Sequence, residues 1–329
     1  MRLWTDDVEA MRGEARTAVD STLPAILELM GRGDDAPESG AFDRDEQVAR
    51  ARKAMEAVYL PSPDAVVREI AGVPCRVFTP DGPARAVYLH FHGGGMIIGA
   101  PEMGDPSNMV LCDRFGMAVV SVDYRLAPEH PYPAGPDDGV AVAEWLLEHA
   151  ERELGSSRLL VGGESAGGYM SAVVLLRMRD ELHAAHRVDG ANLVFGVYDW
   201  GRSPSQRGIR PVPGPDLLDP VGIEFFSECY LPDMTDDERR DPSISPAFAD
   251  LRDLPPALMS VGTSDHLVDD TLTLSARWAA AGNEVELAVL PEMPHGFMAV
   301  PCSMTHWWAK RTNRWFAEIL GRPPRAEAV

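Results

Sequence analysis

The chain has 329 residues, 45% hydrophobic and 25% charged, so it can bury a sizeable core and suits one large, elaborated α/β domain. Its 51 acidic and 30 basic residues leave a formal charge of −21, which argues against nucleic acid and anionic membrane surfaces as partners, because both would repel it. The charge says nothing positive about a substrate, since an acidic exterior is first of all a solvated one.

Taken in chain order, the opening MRLWTDDVEAMRGEA is charged and amphipathic without an apolar stretch, so no secretory leader is expected. Residues 1–60 read as helices separated by a loop, GRGDDAPESG. From about Ala65 onward, short apolar runs alternate with helical patterns. CRVFT, AVYLHF, MAVVSVD, RLLVGG, ANLVFGV, ALMSVG and VELAVL read as strands, and the spacing predicts helices over 139–150, 167–179, 271–281 and 304–320. Several strands are almost wholly apolar, as a sheet covered by helices on both faces requires, and the alternation of strand and helix implies a mostly parallel, doubly wound sheet. MIIGA and AVYLHF are too short to span a bilayer, so no membrane insertion is expected.

Residues 201–256 break this rhythm: GRSPSQRGIRPVPGPDLLDP is rich in proline and glycine, and a helical patch follows at IEFFSECY. A connection of that length inside a compact domain is usually functional or disordered. Residues 1–64 and 201–256 are expected to form a cap over the carboxyl edge of the sheet, while 65–200 and 257–329 form the core. The tail GRPPRAEAV is expected to fray. Cys75, Cys112, Cys229 and Cys302 show neither metal-ligand spacing nor a disulfide pattern, so they read as reduced, mostly buried thiols of a cytoplasmic protein.

The segment that carries chemistry is VGGESAGG, with Gly163-Glu164-Ser165-Ala166-Gly167. Gly-x-Ser-x-Gly lets a strand turn sharply into a helix and leaves the serine strained at the tip. The motif alone is weak, but here it follows the strand RLLVGG and opens a helical run, which is the setting an exposed nucleophile demands. The helix N-terminus also favours a developing anion beside the serine. Upstream, AVYLHF runs into His92-Gly93-Gly94-Gly95. Consecutive glycines let backbone N–H groups approach an oxyanion unhindered, so the amides of Gly94 and Gly95, joined by Ala166, are the expected donors. His92 reads as a residue holding this loop in place.

A serine hydroxyl needs a base, and the base needs an orienter. Of nine histidines, His183 and His186 fall on a polar helical stretch and read as solvated, and His306 lies within the last helix. His295, in PEMPHGF, follows the strand VELAVL and should emerge at the same edge as Ser165. Asp265, after ALMSVG, should do likewise, whereas Asp269 and Asp270 read as caps or solvated charges on the next helix. The order Ser165, Asp265, His295 is the one expected for α/β-hydrolases.

Together HGGG at 92–95, DYRLAPEHPYPA at 123–134, GESAGG at 163–168, SDHLVDD at 264–270 and the terminal HGF resemble the hormone-sensitive-lipase-like, or bacterial family IV, carboxylesterases. The resemblance covers roughly residues 86–300. It implies an eight-stranded α/β-hydrolase core with a helical cap, no metal or organic cofactor, and hydrolysis of small short-acyl esters through an acyl-enzyme. It transfers the triad to Ser165, Asp265 and His295 and the oxyanion hole to Gly94, Gly95 and Ala166, with Gly93 in the same loop. It is compatible with a homodimer, although no interface is legible. Glu164 stands where such proteins more often have Asp, and His266 where Pro is frequent. VYDWGRSPSQ and the loop after it should line the substrate pocket. Amide, lactone and natural-product deacylation on the same scaffold, or ligand binding without turnover, are the competing readings.

Overall fold

Each of the seven expected strands forms, and each is largely buried. The computed structural model describes residues 3–30, 43–57, 59–209, 212 and 216–325. The loop GRGDDAPESG and the middle of the proline-rich stretch therefore lie outside the described residues. The strands are β1 (Val66–Ile70), β2 (Val73–Phe78), β3 (Ala86–Phe91), β4 (Met117–Val122), β5 (Leu159–Glu164), β6 (Val188–Val194), β7 (Ala257–Ser264) and β8 (Val285–Pro294), in spatial order β1-β2-β4-β3-β5-β6-β7-β8. Pairing is parallel from β4 through β8, while β1–β2 and β2–β4 are antiparallel.

Period-two alternation makes both faces apolar. Val87, Leu89 and Phe91 of β3 and Val120 and Val122 of β4 point into the main core, whereas Tyr88 and Val119 point into a second core on the opposite face. Helices α5 (Ala134–Leu154), α6 (Ala166–Asp180) and α8 (Val268–Ala280) cover the first face. Helices α4 (Asp105–Phe115) and α9 (Ser303–Gly321) cover the second, through Leu111, Cys112 and Phe115 and through Trp315, Phe316 and Ile319.

Two elements escaped the sequence reading. Strand β1 is a short edge strand whose Val66 and Val67 are exposed, so no buried pattern marks it; a turn with Ala71 and Gly72 both at positive φ joins it to β2. Helix α4 has Pro106 in its first turn and ends on Gly116 at φ 65, signals present in the sequence but obscured by its mixed composition. Two expectations need correcting. His183 and His186 are exposed but lie in a bend and a 3-10 turn beyond α6 rather than on a helix. The described part of the tail is pinned: Arg325 N–H donates to Asp189 at 2.9 Å, its guanidinium to the Val188 carbonyl at 3.1 Å, and Arg322 pairs with Glu284 at 2.8 Å.

The N-terminal helices take separate positions. Helices α1 (Asp6–Ala10) and α2 (Arg12–Leu29) bury Val8, Ala15, Val19 and Leu23 against a cluster with Val289 and Met293 of β8, Phe297 and Met304. Helix α3 (Arg44–Glu56) instead lies over the loop after β3, where Arg52 donates to the carbonyls of Ile97 and Ala127 and forks onto Glu129. Helix α7 (Pro220–Tyr230) is the helical patch expected at IEFFSECY, capped by Asp219, whose carboxylate accepts from Gly222 N–H. Three cysteines are buried and Cys302 is half-buried. Among the described residues, no helix is long and apolar enough to cross a membrane.

Candidate active site

Ser165 occupies the turn between β5 and α6 at φ 56, ψ −120, a conformation that disfavours any side chain. The glycines around it are required by proximity. A Cβ on Gly163 or Gly167 would strike the Phe91 carbonyl at the end of β3, so only glycine lets the elbow close against the neighbouring strand. Ser165 N–H donates to the Val194 carbonyl at 2.9 Å, which locks the tip to β6.

The chain of groups expected from sequence is assembled. His295 Nδ1 lies 2.9 Å from Asp265 Oδ2 and Nε2 lies 2.9 Å from Ser165 Oγ. Asp265 is fully buried, and its other oxygen accepts the Leu267 N–H at 2.8 Å. A carboxylate accepts, so the imidazole carries its proton on Nδ1 and presents a bare Nε2 to the serine hydroxyl. The ring is flanked by Phe195, centroid to centroid 4.6 Å, and Phe195 in turn packs on Phe297. Phe195 was not singled out from the sequence, and Phe297 entered only as the last residue of HGF.

The His92–Gly95 loop lies against the elbow. A Cβ on Gly93 would come 3.1 Å from the Glu164 carbonyl and 3.5 Å from Ser165 Cβ, so the loop and the Ser165 turn touch through backbone. Gly94 at φ 121 and Gly95 at φ 60 turn the chain, and the Gly94 carbonyl accepts from Ile97 and Ile98 N–H. Among the described residues, the N–H groups of Gly94 and Gly95 have no backbone acceptor. His92 holds this loop, as expected: its Nδ1–H donates to the Gly93 carbonyl at 2.7 Å, and its ring stacks on Tyr124 at 4.3 Å. Burial pulls its pKa down to about 3, so it is neutral. Tyr124 belongs to DYRLAPEHPYPA, and its hydroxyl donates to the His92 carbonyl at 2.8 Å; that segment buttresses the loop.

Beneath the elbow, His90 Nε2 donates to Glu164 Oε2 at 3.2 Å while Nδ1 accepts from Ser121 Oγ at 2.8 Å. His90 was missed because it precedes HGGG on the alternate face of β3. The larger correction concerns Asp270. It is 1% exposed and accepts from the N–H groups of Tyr198 and Asp199, from Ser203 Oγ and from Gln206 Nε2, each between 2.7 and 2.8 Å. Neither a cap nor solvated, it anchors the start of the 201–256 segment onto α8, and Asp269 assists by accepting Ser205 N–H at 2.9 Å. VYDWGRSPSQ is therefore an anchor, with Tyr198, Trp200, Ser203, Ser205 and Gln206 all buried. The segment's contacts with the site come later in the chain. A Cβ on Gly95 would strike the Phe226 ring of α7, and one on Gly296 would come 3.0 Å from Leu217.

Comparison with known proteins agrees with this geometry. A family model described as the alpha/beta hydrolase fold matches residues 88–299. The chain is 36% identical over 304 residues to carboxylesterase NlhH of Mycobacterium tuberculosis, covering 86% of this chain and 90% of that one. It is 30% identical over 299 residues to an ethyl acetate hydrolase of Pseudomonas putida, covering 85% and 92%. Among solved structures, a hormone-sensitive lipase from a metagenome library aligns with a TM-score of 0.76 at 29% identity, over 90% of this chain and 97% of that one. With sequence, sheet order and relatives all in agreement, the chain belongs to the hormone-sensitive-lipase-like, family IV carboxylesterases of the α/β-hydrolase fold.

Proposed function

We propose that this carboxylic ester hydrolase cleaves short-chain esters through an acyl-enzyme, with Ser165 as nucleophile, His295 as general base and then acid, and Asp265 as the orienter of His295. The observation that carries the reading is the pair of 2.9 Å contacts linking Asp265, His295 and a Ser165 held at positive φ. His295 Nε2 takes the hydroxyl proton as Ser165 Oγ bonds to the ester carbonyl carbon. The tetrahedral oxyanion is received by the amides of Gly94, Gly95 and Ala166, with Gly93 shaping the same loop. The imidazolium then protonates the departing alcohol, and water repeats the sequence on the acyl-serine to release the acid. No metal or organic cofactor enters these steps.

The preference for short acyl groups is supported by the crowding of Phe226 and Leu217 against the site, and by relatives named as an ethyl acetate hydrolase and an acetyl-hydrolase. The same contacts favour reading residues 201–256 as a cap over a core of 65–200 and 257–329, and the bonds of Arg52 in α3 to the Ile97 and Ala127 carbonyls favour adding residues 1–64 to that cap. The test is an acyl-length series of p-nitrophenyl esters: acetate to hexanoate should be turned over fastest, with a steep fall for laurate. A maximum at laurate would rule out the short-chain preference. Folded protein that neither turns over any ester nor reacts with a serine-directed phosphonate would rule out the nucleophile as well.

The oxyanion loop makes a separate prediction. In Gly94→Ala, at a backbone φ of 121, the new Cβ would meet the Ile98 carbonyl, so the loop must shift and its N–H groups lose their aim. Loss of one aligned donor typically lowers kcat about 10²–10³-fold. Phosphonate labelling measured beside kcat should show the serine still present and reactive, only slower.

A further inference from the structure

His266 stands between the orienting aspartate and the 201–256 segment, and both its ring nitrogens face acceptors. Nδ1 lies 2.7 Å from the Ser205 carbonyl oxygen, which can only accept, so Nδ1 carries a proton. Nε2 lies 2.9 Å from Asp216 Oδ2. The carboxyl is the stronger acid of that pair, so the shared proton stays on the ring and His266 is a buried imidazolium. Burial pushes its pKa down, but the bond to Asp216, the Ser205 carbonyl and the charges of Asp216 and Asp265 outweigh burial and raise it above the usual histidine value. The groups acting on it are Asp216 from the 201–256 segment and Asp265 from its own loop, with His295 beyond, while Asp269 and Asp270 of α8 hold the neighbouring Ser205 and Ser203.

The contacts close a ring through the site. His266 follows Asp265, and Asp265 binds His295. His295 is followed by Gly296, against which Leu217 packs, and Leu217 follows Asp216, which returns to His266. Asp216 also fixes the turn that carries Leu217, because its Oδ1 accepts the Leu218 N–H at 3.0 Å. We propose that His266 is a positioning residue: as an imidazolium shared between the Ser205 carbonyl and the Asp216 carboxylate, it clasps Leu217 against the His295 loop and sets the tightness of the substrate cleft. The proposal rests on His295 and Ser165 acting as described above. It gives a role to a residue that stands where proline is frequent in the proteins it resembles, a side chain that cannot make either contact.

The first test needs no substrate. In ¹⁵N-edited NMR of wild-type protein at pH 7.5, one buried imidazole other than that of His295 should show both ring nitrogens protonated, and that signature should disappear in Asp216→Asn. A neutral His266 ring in the wild type overturns the proposal. The second test is kinetic. Asp216→Asn keeps side-chain volume but removes the charge, and KM for p-nitrophenyl butyrate should rise roughly tenfold with a much smaller change in kcat. Asp216→Glu should recover part of that loss. Wild-type KM should also climb as pH rises through the His266 titration, while the Asp216→Asn profile stays flat. An unchanged KM in Asp216→Asn overturns the clasp. Failure of folded wild type to hydrolyse any ester would count instead against the functional reading, because the NMR result stands without turnover.

Discussion

Ser165→Ala is expected to lower kcat for p-nitrophenyl butyrate about 10⁴–10⁶-fold while the protein stays folded. The range follows from what losing a serine nucleophile does when base and nucleophile act as a unit, with residual turnover left to the oxyanion donors and substrate binding. No packing is lost with one hydroxyl: its polar partner is His295 Nε2, and the half-buried position remains open to water. The strain is a separate matter. A non-glycine residue at φ 56, ψ −120 stores on the order of 1–3 kcal/mol, and alanine keeps that strain. Ser165→Gly removes both hydroxyl and Cβ and should therefore be equally inactive but more stable than Ser165→Ala, by about 1 kcal/mol in urea denaturation. Turnover that persists in Ser165→Ala would mean that another group is the nucleophile. A glycine variant no more stable than the alanine variant would mean that the elbow is not strained.

Asp270→Ala should be the most damaging single change outside the proposed triad. It strips the acceptor from four donors at once, those of Tyr198, Asp199, Ser203 and Gln206, at a site sealed from water. Leaving buried donors unpaired costs about 1–3 kcal/mol each but not additively, so a total loss of roughly 3–5 kcal/mol is expected. The same residue gives a pH signature. Burial outweighs the hydrogen bonds it accepts and pushes its pKa up to about 7, against about 4 for an exposed carboxyl in the unfolded chain. A folded-state value above the unfolded one means that the folded protein holds the proton more tightly. The stability contributed is therefore complete below about pH 4 and is withdrawn as pH rises through about 7. Urea midpoints should fall between pH 5.5 and 8, and this slope should flatten in Asp270→Asn. A midpoint that rises over that interval, or a slope unchanged in the variant, would show that Asp270 is ionised throughout.

The contrast between Ser165 and Asp270 shows what the chain discloses about itself. Ser165, Asp265 and His295 were legible because each follows an apolar strand, and in a parallel sheet residues after successive strands must converge on one edge. The glycines of the elbow and of the His92–Gly95 loop were legible because backbone contact there tolerates no Cβ. Asp270 was misread because a carboxylate near a helix start looks like a cap; its burial comes from a segment some 70 residues earlier, with partners at Tyr198 and Ser203, and no local pattern announces that docking. His266 gave half a signal, an unusual residue beside Asp265, but its partner Asp216 sits in a proline-rich stretch without periodicity. Helix α4 and strand β1 escaped for a simpler reason: the buried face of α4 opens on the polar Asp105 and Asn108, and β1 buries only Ile70, so neither stamps an apolar period on its sequence.

The closeness of Gly167 and Gly93 to neighbouring backbone divides the molecule into a part that evolution can hardly adjust and a part that it can. The Ser165 turn and the glycine loop are registered against each other by main chain, through the Phe91 and Glu164 carbonyls, so no exchange of side chains can drift one away from the other. Residues 201–256 are tied to the core by main chain at only a few points, such as Tyr132 N–H to the Tyr230 carbonyl and Ala247 N–H to the Tyr198 carbonyl, and their start is held through the side chains of Asp270, Asp269 and His266, each replaceable by one substitution. New substrate ranges should therefore arise through changes at Leu217, Phe226 and their anchors, while the reaction itself passes unaltered from one descendant to the next.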